Sequence, residues 1–216
     1  NKAVIATYDE IDGTSMGRLR LSVCTIVFDN EISDCNSQIV DDETLDDGGL
    51  LYPGAYPSIV VSADQAYIVH QHGKLEKMRL RLTSCSIGAN NSINGCFSQN
   101  VASGSAYGAT PRIAISGDHL SGRLWISGVQ HSNPTVTASA SRVGVYSCAL
   151  PLTPGGCSSV SHHFMQPENL GAGPVYSRSL WFDSIGKQLV IPFHAHGFYG
   201  YVRNLGILNL GLLDEI

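Results

Sequence analysis

The hydrophobic residues of the chain fall in short alternating runs, and no stretch shows sustained helical periodicity. The run Arg79-Leu80-Arg81-Leu82 alternates polar and apolar side chains, which is typical of a strand in a sheet that is covered on one face. Other runs are rich in Val, Ile, Leu and Tyr and are separated by Gly, Asn, Asp and Ser, which favour turns. The clearest group of four runs predicts strands over 57–62, 66–72, 77–85 and 96–101. The pattern therefore predicts an all-β fold.

The strand pattern repeats along the chain. The segment Arg18-Leu19-Arg20-Leu21-Ser22-Val23-Cys24 matches Arg79-Leu80-Arg81-Leu82-Thr83-Ser84-Cys85, and Tyr56-Pro57-Ser58-Ile59 matches Thr110-Pro111-Arg112-Ile113. Repeats made of short strands indicate a propeller or a solenoid, and four antiparallel strands in roughly 40–50 residues make one propeller blade. We therefore predict one β-propeller domain over residues 1–216, built of four-stranded antiparallel blades. About four blades are expected, at roughly 1–50, 51–105, 106–170 and 171–216.

The predicted blades at the two ends of the chain are incomplete. The first begins at a second strand, over 3–8, and the last reaches a third strand, over 201–208, without a clear outer strand. Unpaired strand edges leave backbone hydrogen-bonding groups open. Three interpretations remain open: residues 210–216 close the ring, the chain is part of a larger propeller, or a partner segment completes it.

The composition excludes several classes of protein. Charged residues make up 14% of the chain, well below the roughly 25% of ordinary soluble domains, which disfavours a helical bundle. Hydrophobic residues make up 43%, which disfavours disorder. The net charge of −5 makes the chain a poor binder of phosphates, so nucleic acid is not an expected partner. No apolar run approaches the roughly 20 residues of a membrane span.

The six cysteines form three close pairs, which predicts three disulfides between the third and outermost strands of the blades. The alternative of a zinc site would need more tightly spaced cysteines. Disulfides persist in oxidising compartments, so we expect a secreted protein that is extracellular or periplasmic. The predicted disulfides are Cys24–Cys35, Cys85–Cys96 and Cys148–Cys157.

The repeats resemble those of secreted bacterial β-propellers. The segments that carry this resemblance are Val4-Ile5-Ala6-Thr7-Tyr8-Asp9, Gly17-Arg18-Leu19-Arg20-Leu21 and Tyr56-Pro57-Ser58-Ile59-Val60-Val61. In addition, Ser116-Gly117-Asp118, continuing through Gly122 to Trp125, is similar to an Asp-box, S-x-D-x-G-x-x-W, that is longer by two residues. The chain thus resembles the sialidase-like, Asp-box (BNR-type) propellers. The resemblance implies the fold only, because such propellers include enzymes, lectins and scaffolds, and no motif matches the sialidase catalytic residues.

Histidines recur near the ends of the predicted second strands. Residues two apart on a strand share a face, so each His-x-His segment can offer two imidazoles, which would suit Zn or Cu. The alternative is that these histidines only hydrogen-bond to the loop backbone. The candidate metal ligands are His70, His72, His131, His194 and His196.

Two further groups of side chains suggest binding sites. The acidic segment Asp41-Asp42-Glu43, with Asp46 and Asp47, would suit Ca²⁺ at 41–47, and the alternative is a solvated loop after the first outer strand. Aromatic side chains near the inner strands would stack on sugars, and the alternative is packing between blades. This candidate ligand rim consists of Tyr8, Asp9, Tyr52, Tyr56 and Tyr107.

No nucleophile elbow, phosphate-binding loop or dinucleotide motif occurs in the chain. We therefore expect a secreted, non-catalytic propeller that serves as an interaction or structural module and binds a protein, cell-surface or glycan partner. Two alternatives stay open. One is a carbohydrate-binding lectin that uses the rim aromatics, and the other is a glycoside-processing or metal-dependent enzyme that uses the histidines.

Overall fold

The structure is a computed structural model. It describes residues 1–11, 16–27, 31–42, 55–73, 79–102, 107–131, 141–159, 175–177, 180–183, 188–197 and 200–209. Every regular element in these ranges is a β-strand, which confirms the prediction of an all-β fold. The strands form four antiparallel sheets, which we call blades one to four.

The first two blades are consecutive antiparallel sheets. Blade one contains three strands in the order β1 Lys2–Ile11, β2 Met16–Ile26 and β3 Ile32–Asp41. Blade two contains four strands in the order β4 Ala55–Ser62, β5 Gln65–His72, β6 Arg79–Ile87 and β7 Ile93–Ala102. Neighbouring strands in both blades pair antiparallel.

Blade three follows the same plan with a short outer strand, whereas blade four has a different order of pairing. Blade three contains β8 Tyr107–Ser116, β9 Arg123–His131, β10 Ser141–Ala149 and β11 Cys157–Ser159. Blade four contains β12 Val175–Ser177, β13 Trp181–Asp183, β14 Gln188–Gly197 and β15 Gly200–Asn209. In blade four, β12 and β13 pair with β14, and β15 pairs with β14 as well.

The hydrophobic core lies between blades, because both faces of blade two are covered. Successive side chains of a strand point to opposite faces, so Ile68 of β5 faces blade one while Val69 faces blade three. The cluster between blades one and two consists of Leu19, Leu21, Val23, Ala66, Ile68, Cys85, Ile87 and Ile93. The cluster between blades two and three consists of Tyr67, Val69, Leu80, Leu82, Ile113, Leu124, Ile126, Tyr146, Cys148 and Leu150.

The three predicted disulfides are confirmed. Each joins the third strand of its blade to the outermost one, with Cα atoms 4.0 to 4.2 Å apart. They indicate an oxidising compartment outside the cytoplasm. In the described ranges, no helix has the length and apolar character that crossing a membrane requires. The disulfides are Cys24–Cys35, Cys85–Cys96 and Cys148–Cys157.

The predicted incompleteness of blade one appears in the sheet topology. Among the described residues, the sheet of blade one has three strands, and β1 lies at its inner edge. Blades two and three each have an inner strand at the corresponding place, β4 and β8. Residues 210–216, which were expected to be able to close the ring, lie outside the described residues.

The residues that are similar to an Asp-box organise the turn between β8 and β9. Asp118 accepts hydrogen bonds at 2.8 Å from the backbone N–H groups of Leu120 and Ser121. These donors hold the pKa of the Asp118 carboxyl below its ordinary value. Trp125 donates its indole N–H to the hydroxyl of Ser116 at 3.0 Å. The motif residues therefore stabilise a turn.

The buried boundary between blades two and three predicts an unequal response to truncation of two side chains. Leu82 is fully buried, so Leu82→Ala should lower the free energy of unfolding by about 2–5 kcal/mol. Val61 is exposed on β4, so Val61→Ala should change it by no more than about 0.5 kcal/mol. Urea unfolding of the two variants measures both values. Equal effects would contradict the assignment of this boundary as core.

Candidate functional site

Most of the residues predicted to form a site lie at one end of the blades. Ala55, at the start of β4, pairs with Gln71 near the end of β5, and Tyr107, at the start of β8, pairs with Gln130 near the end of β9. We call this end the upper rim: the second strands β1, β5, β9 and β14 end there, and the inner strands β4 and β8 begin there. The backbone places all five predicted histidines near this end of their strands: His70, His72, His131, His194 and His196.

A buried charged cluster links blades one and two near the upper rim. Asp41 Oδ2 lies 2.6 Å from Arg81 Nε and 3.2 Å from His70 Nε2. His70 Nε2 also lies 3.0 Å from Thr83 Oγ1, which is 2.8 Å from Ser98 Oγ. Asp41, His70, Arg81 and Thr83 are buried. We call these four residues together with Ser98 the boundary cluster.

The boundary cluster fixes the position of blade two on blade one. A carboxylate in an apolar boundary needs a cation beside it, and a guanidinium keeps its charge when buried. Asp41 was expected in a solvated or calcium-binding loop, and this expectation is wrong for that residue. It ends β3 and is buried against Arg81, because its side chain shares the face of Leu19, the residue opposite it in β2.

The remaining acidic residues of that segment do not test the prediction of a calcium site. Asp42 is exposed. Glu43, Asp46 and Asp47 lie outside the described residues. A calcium site at 41–47 therefore stays a prediction, without the side chain of Asp41.

A metal site formed by the five predicted histidines also remains a prediction. His70 and His72 share the face of β5 that meets blade one, and both are fully buried. The imidazole of His70 is already engaged with Thr83 and Asp41. Considering only the part of the chain that the structure describes, no three His, Cys, Asp or Glu side chains are grouped to hold a metal ion. The side chains of His131, His194 and His196 are not among those described.

The predicted ligand rim separates into packed and exposed members. The ring of Tyr8 lies against Gly17, where any larger residue would collide with it. Asp9 forms an ion pair with Arg20 at 2.7 Å, and both side chains are partly exposed. Tyr52 and the side chain of Tyr107 lie outside the described atoms. Of the two tyrosines in this group whose side chains the structure describes, Tyr56 is the exposed one.

The exposure of Tyr56 results from a bulge at the start of the inner strand. Tyr56 has a φ of 52° and precedes Pro57, and Thr110, at the matching place in β8, has a φ of 45° and precedes Pro111. Both strands shift register at these positions. The left-handed backbone costs of the order of 1–3 kcal/mol for a residue other than glycine, and bulges redirect side chains. Tyr56 is 60% exposed.

Arg112 is a candidate functional residue that was not predicted. It lies in β8, two residues past the bulge, where the matching residue of β4 is Ser58. Partial burial lowers the pKa of its guanidinium, which nevertheless stays charged at neutral pH. Its Nη1 donates to the carbonyl of Pro111 at 2.7 Å. The signal that could have found it is a charged residue in an inner strand that is otherwise small or apolar.

A cavity of about 450 Å³ lies at the opposite end of the boundary between blades one and two. There Lys2 donates its ammonium to the carbonyl of Gly88 at 2.6 Å. This cavity is therefore separate from the upper rim. Its lining residues are Lys2, Val4, Val61, Ala63, Asp64 and Ile87.

Solved structures share this fold, whereas no protein-family model and no curated protein matches the sequence. The α-L-arabinanase of Cellvibrio cellulosa matches with a TM-score of 0.54 and 14% identity, over 96% of this chain and 70% of that chain. The same enzyme in complex with arabinohexaose gives a TM-score of 0.50 at 14% identity and the same coverage. An exo-1,5-α-L-arabinanase from a bovine ruminal metagenomic library gives 0.47 and 9% identity, over 95% of this chain and 69% of that chain.

These comparisons confirm the propeller fold and correct the expected function. Arabinanases are five-bladed β-propeller glycoside hydrolases, and the comparisons do not identify the Asp-box class. The expectations of a non-catalytic module and of a protein that is not an enzyme are therefore wrong, because the neighbours in structure are enzymes that process carbohydrate. The glycoside-processing alternative fits better.

The boundary cluster predicts different consequences for two arginines at matching positions of the repeat. Arg81→Met leaves Asp41 buried without its guanidinium, so the free energy of unfolding should fall by about 3–5 kcal/mol. Arg20→Met removes a partly exposed ion pair with Asp9 and should cost no more than about 1 kcal/mol. Chemical denaturation of both variants tests this difference. An Arg81→Met protein as stable as the Arg20→Met protein would refute a structural role for the buried pair.

Proposed function

We propose that this chain is a secreted glycoside hydrolase that acts on arabinan or a closely related neutral polysaccharide, which it binds at the upper rim. The similarity to arabinanases, one of them solved with arabinohexaose, supports this reaction class. Propellers host many functions, so the fold alone does not carry the proposal. The observation that carries it is the exposure of the Tyr56 ring at the upper rim.

Tyr56 has the properties of a platform for a sugar ring. It is 60% exposed, and the bulge before Pro57 holds it at the start of an inner strand, where β4 meets the upper rim. An exposed aromatic ring offers a flat apolar face together with a polar hydroxyl. A pyranose or furanose ring presents a complementary C–H face and hydroxyl groups. Backbone strain at an exposed position is a common property of binding sites.

Arg112 supplies hydrogen-bond donors on the neighbouring inner strand. Strands β4 and β8 contact each other, and Arg112 lies two residues past the bulge that matches the one at Tyr56. A guanidinium carries five N–H donors in a fixed plane, and such donors suit sugar hydroxyl oxygens. We assign Tyr56 and Arg112 to substrate binding.

The compartment agrees with a polymeric substrate. A polysaccharide does not cross a membrane, so an enzyme that degrades it has to work outside the cytoplasm. The three disulfides indicate such an oxidising environment. A secreted location, extracellular or periplasmic, is therefore part of the proposal.

Hydrolysis of linear arabinan tests the proposal directly. The purified protein should release arabino-oligosaccharides, which chromatography and mass spectrometry detect. Tyr56→Ala should lower kcat/KM by about tenfold or more, because a ring contact of roughly 1.4 kcal/mol corresponds to a factor of ten. Trp181→Ala is the matched control, since Trp181 is also an exposed aromatic but pairs near the start of β14, away from the upper rim. It should leave kcat/KM unchanged.

Two outcomes would contradict hydrolysis. Binding of arabinan that depends on Tyr56 but gives no product over a day would identify a lectin. Neither binding nor product with arabinan, arabinoxylan or xylan would refute the substrate class. Thermal melting of each variant shows that any loss of activity does not come from unfolding.

A further inference from the structure

One face of blade one points away from blade two. Eight of its residues match residues that blade two packs against blade one, whereas Thr7 and Asp9 take the places of His70 and His72. In β1, Val4 and Ala6 pack on the cluster shared with blade two, so the alternate residues Ala3 and Ile5 face the other way. We call this side of blade one the open face. The residues that match between the open face and the covered face of blade two are Ala3 and Ala66, Ile5 and Ile68, Arg20 and Arg81, Ser22 and Thr83, Cys24 and Cys85, Ile26 and Ile87, Ile32 and Ile93, and Ser37 and Ser98.

The strand register shows that these matches are structural as well as sequential. Between β2 and β3 the register shifts at Leu19/Arg20 and again at Val23/Thr25. Between β6 and β7 it shifts at the corresponding positions, Leu80/Arg81 and Ser84/Ser86. The two sheets are therefore built with the same irregularities, and matching residues occupy the same places.

The matching residues differ in their exposure to solvent. Ile68 is 0% exposed and Ile93 is 5% exposed, whereas Ile5 is 40% exposed and Ile32 is 53% exposed. Each pair has the same side chain at the same place in its blade. The difference therefore comes from the neighbouring blade, which covers Ile68 and Ile93 and is absent beside Ile5 and Ile32 in the described residues. Exposed apolar side chains that form one face indicate a contact surface.

A hydrogen bond of the covered face also exists on the open face. Ser22 Oγ and Ser37 Oγ are 2.7 Å apart and exposed, and Thr83 Oγ1 and Ser98 Oγ, at the matching places, are 2.8 Å apart and part-buried. In the boundary cluster, Thr83 Oγ1 continues to His70. The open face thus carries part of a boundary cluster.

At the described boundaries between neighbouring blades, a buried arginine on one blade occurs together with a carboxylate on the blade before it. At the boundary between blades one and two, Arg81 meets Asp41, which lies opposite Leu19 in β2. At the boundary between blades two and three, Gly144 occupies the place of Arg81, four residues before the disulfide cysteine of its strand, and Ala102 occupies the place of Asp41. The boundary with the arginine thus also has the carboxylate, and the boundary without the arginine has no carboxylate at that place. This is expected because a buried guanidinium requires a negative partner.

Arg20 occupies the arginine position on the open face, where it forms a partly exposed ion pair with Asp9 of its own blade. We propose that the open face binds a further four-stranded blade of the same repeat type, contributed by polypeptide outside residues 1–216, whose outer strand ends in Asp or Glu opposite Arg20. A second copy of this chain does not offer the matching carboxylate, because its Asp41 is buried in its own boundary cluster. This chain has four blades and covers 70% of one arabinanase, and arabinanases have five blades. A further blade is therefore consistent with that comparison.

A tandem duplication of the repeat tests the proposal on the full chain. Because Lys2 matches Gln65 in the repeat, residues 1–64 placed directly before Lys2 add a copy of blade one in register. They also bring a copy of β4 that can pair with the inner edge of β1. The proposal predicts that this fusion melts at least about 4 °C above the parent chain, because the open face becomes buried.

Variants of the carboxylate and the arginine separate this contact from general stabilisation. In the fusion, Asp41→Ala in the added copy should remove most of the gain in melting temperature. Arg20→Ala in the original copy should do the same, and the double variant should lose no more than either single one. Asp41→Glu in the added copy should retain the gain. In the parent chain, Arg20→Ala should shift the melting temperature by less than about 2 °C.

Three results would overturn the proposal. The first is a fusion that melts at the temperature of the parent chain. The second is a gain that persists when both Asp41 of the added copy and Arg20 are replaced. The third is a dimer of the parent chain in sedimentation equilibrium that Arg20→Glu dissociates, because a second copy would then occupy the open face. None of these measurements depends on arabinan hydrolysis.

Discussion

The structure depends on the requirement that a blade be covered on both faces. Strand β5 shows this requirement most clearly, because Ile68 and Val69 are adjacent in the chain, point to opposite faces and are both fully buried. A strand that is apolar on both sides gains stability only when a sheet lies on each of them. Blade two meets this condition through blades one and three. The buried ion pair and the exposed residues of blade one are both consequences of the same condition.

The buried ion pair adds information that apolar packing lacks. Apolar contacts are non-directional, so similar blades could in principle slide past one another or pack in another order. A guanidinium and a carboxylate that are both out of water tolerate neither change, since each would then be left without its counter-charge. Arg81 and Asp41 therefore specify that blade two packs next to blade one. At the outer hairpins, where a strand has a neighbour on one side only, the disulfides hold the strands together.

The sequence predicted the parts of the structure that follow from local patterns. Strand β5 was expected over 66–72 and is found over 65–72, because alternation, turn residues and repetition all act within a few residues. The pair of Asp41 and Arg81 was missed, since it joins two blades and depends on which face each side chain shares. Arg112 was missed because its meaning comes from the neighbouring inner strand. The expectation of a non-catalytic module was wrong because it rested on the absence of contiguous catalytic motifs. The residues that we propose for substrate binding, Tyr56 and Arg112, lie on separate inner strands, so no contiguous motif joins them.

The inner strands connect the two proposals. In blades two and three, the upper rim is built from the same bulge before a proline, with Tyr56 in β4 and Thr110 in β8 at matching places. Blade one has no inner strand in the described residues, so its part of the rim lacks such a bulge. The blade that we propose for the open face would precede blade one in the repeat, and the connection between them would supply an inner strand for β1. One added repeat would therefore both cover the open face and add an inner strand to the upper rim, where we propose that substrate binds, because the strand that follows each outer strand is the inner strand of the next blade.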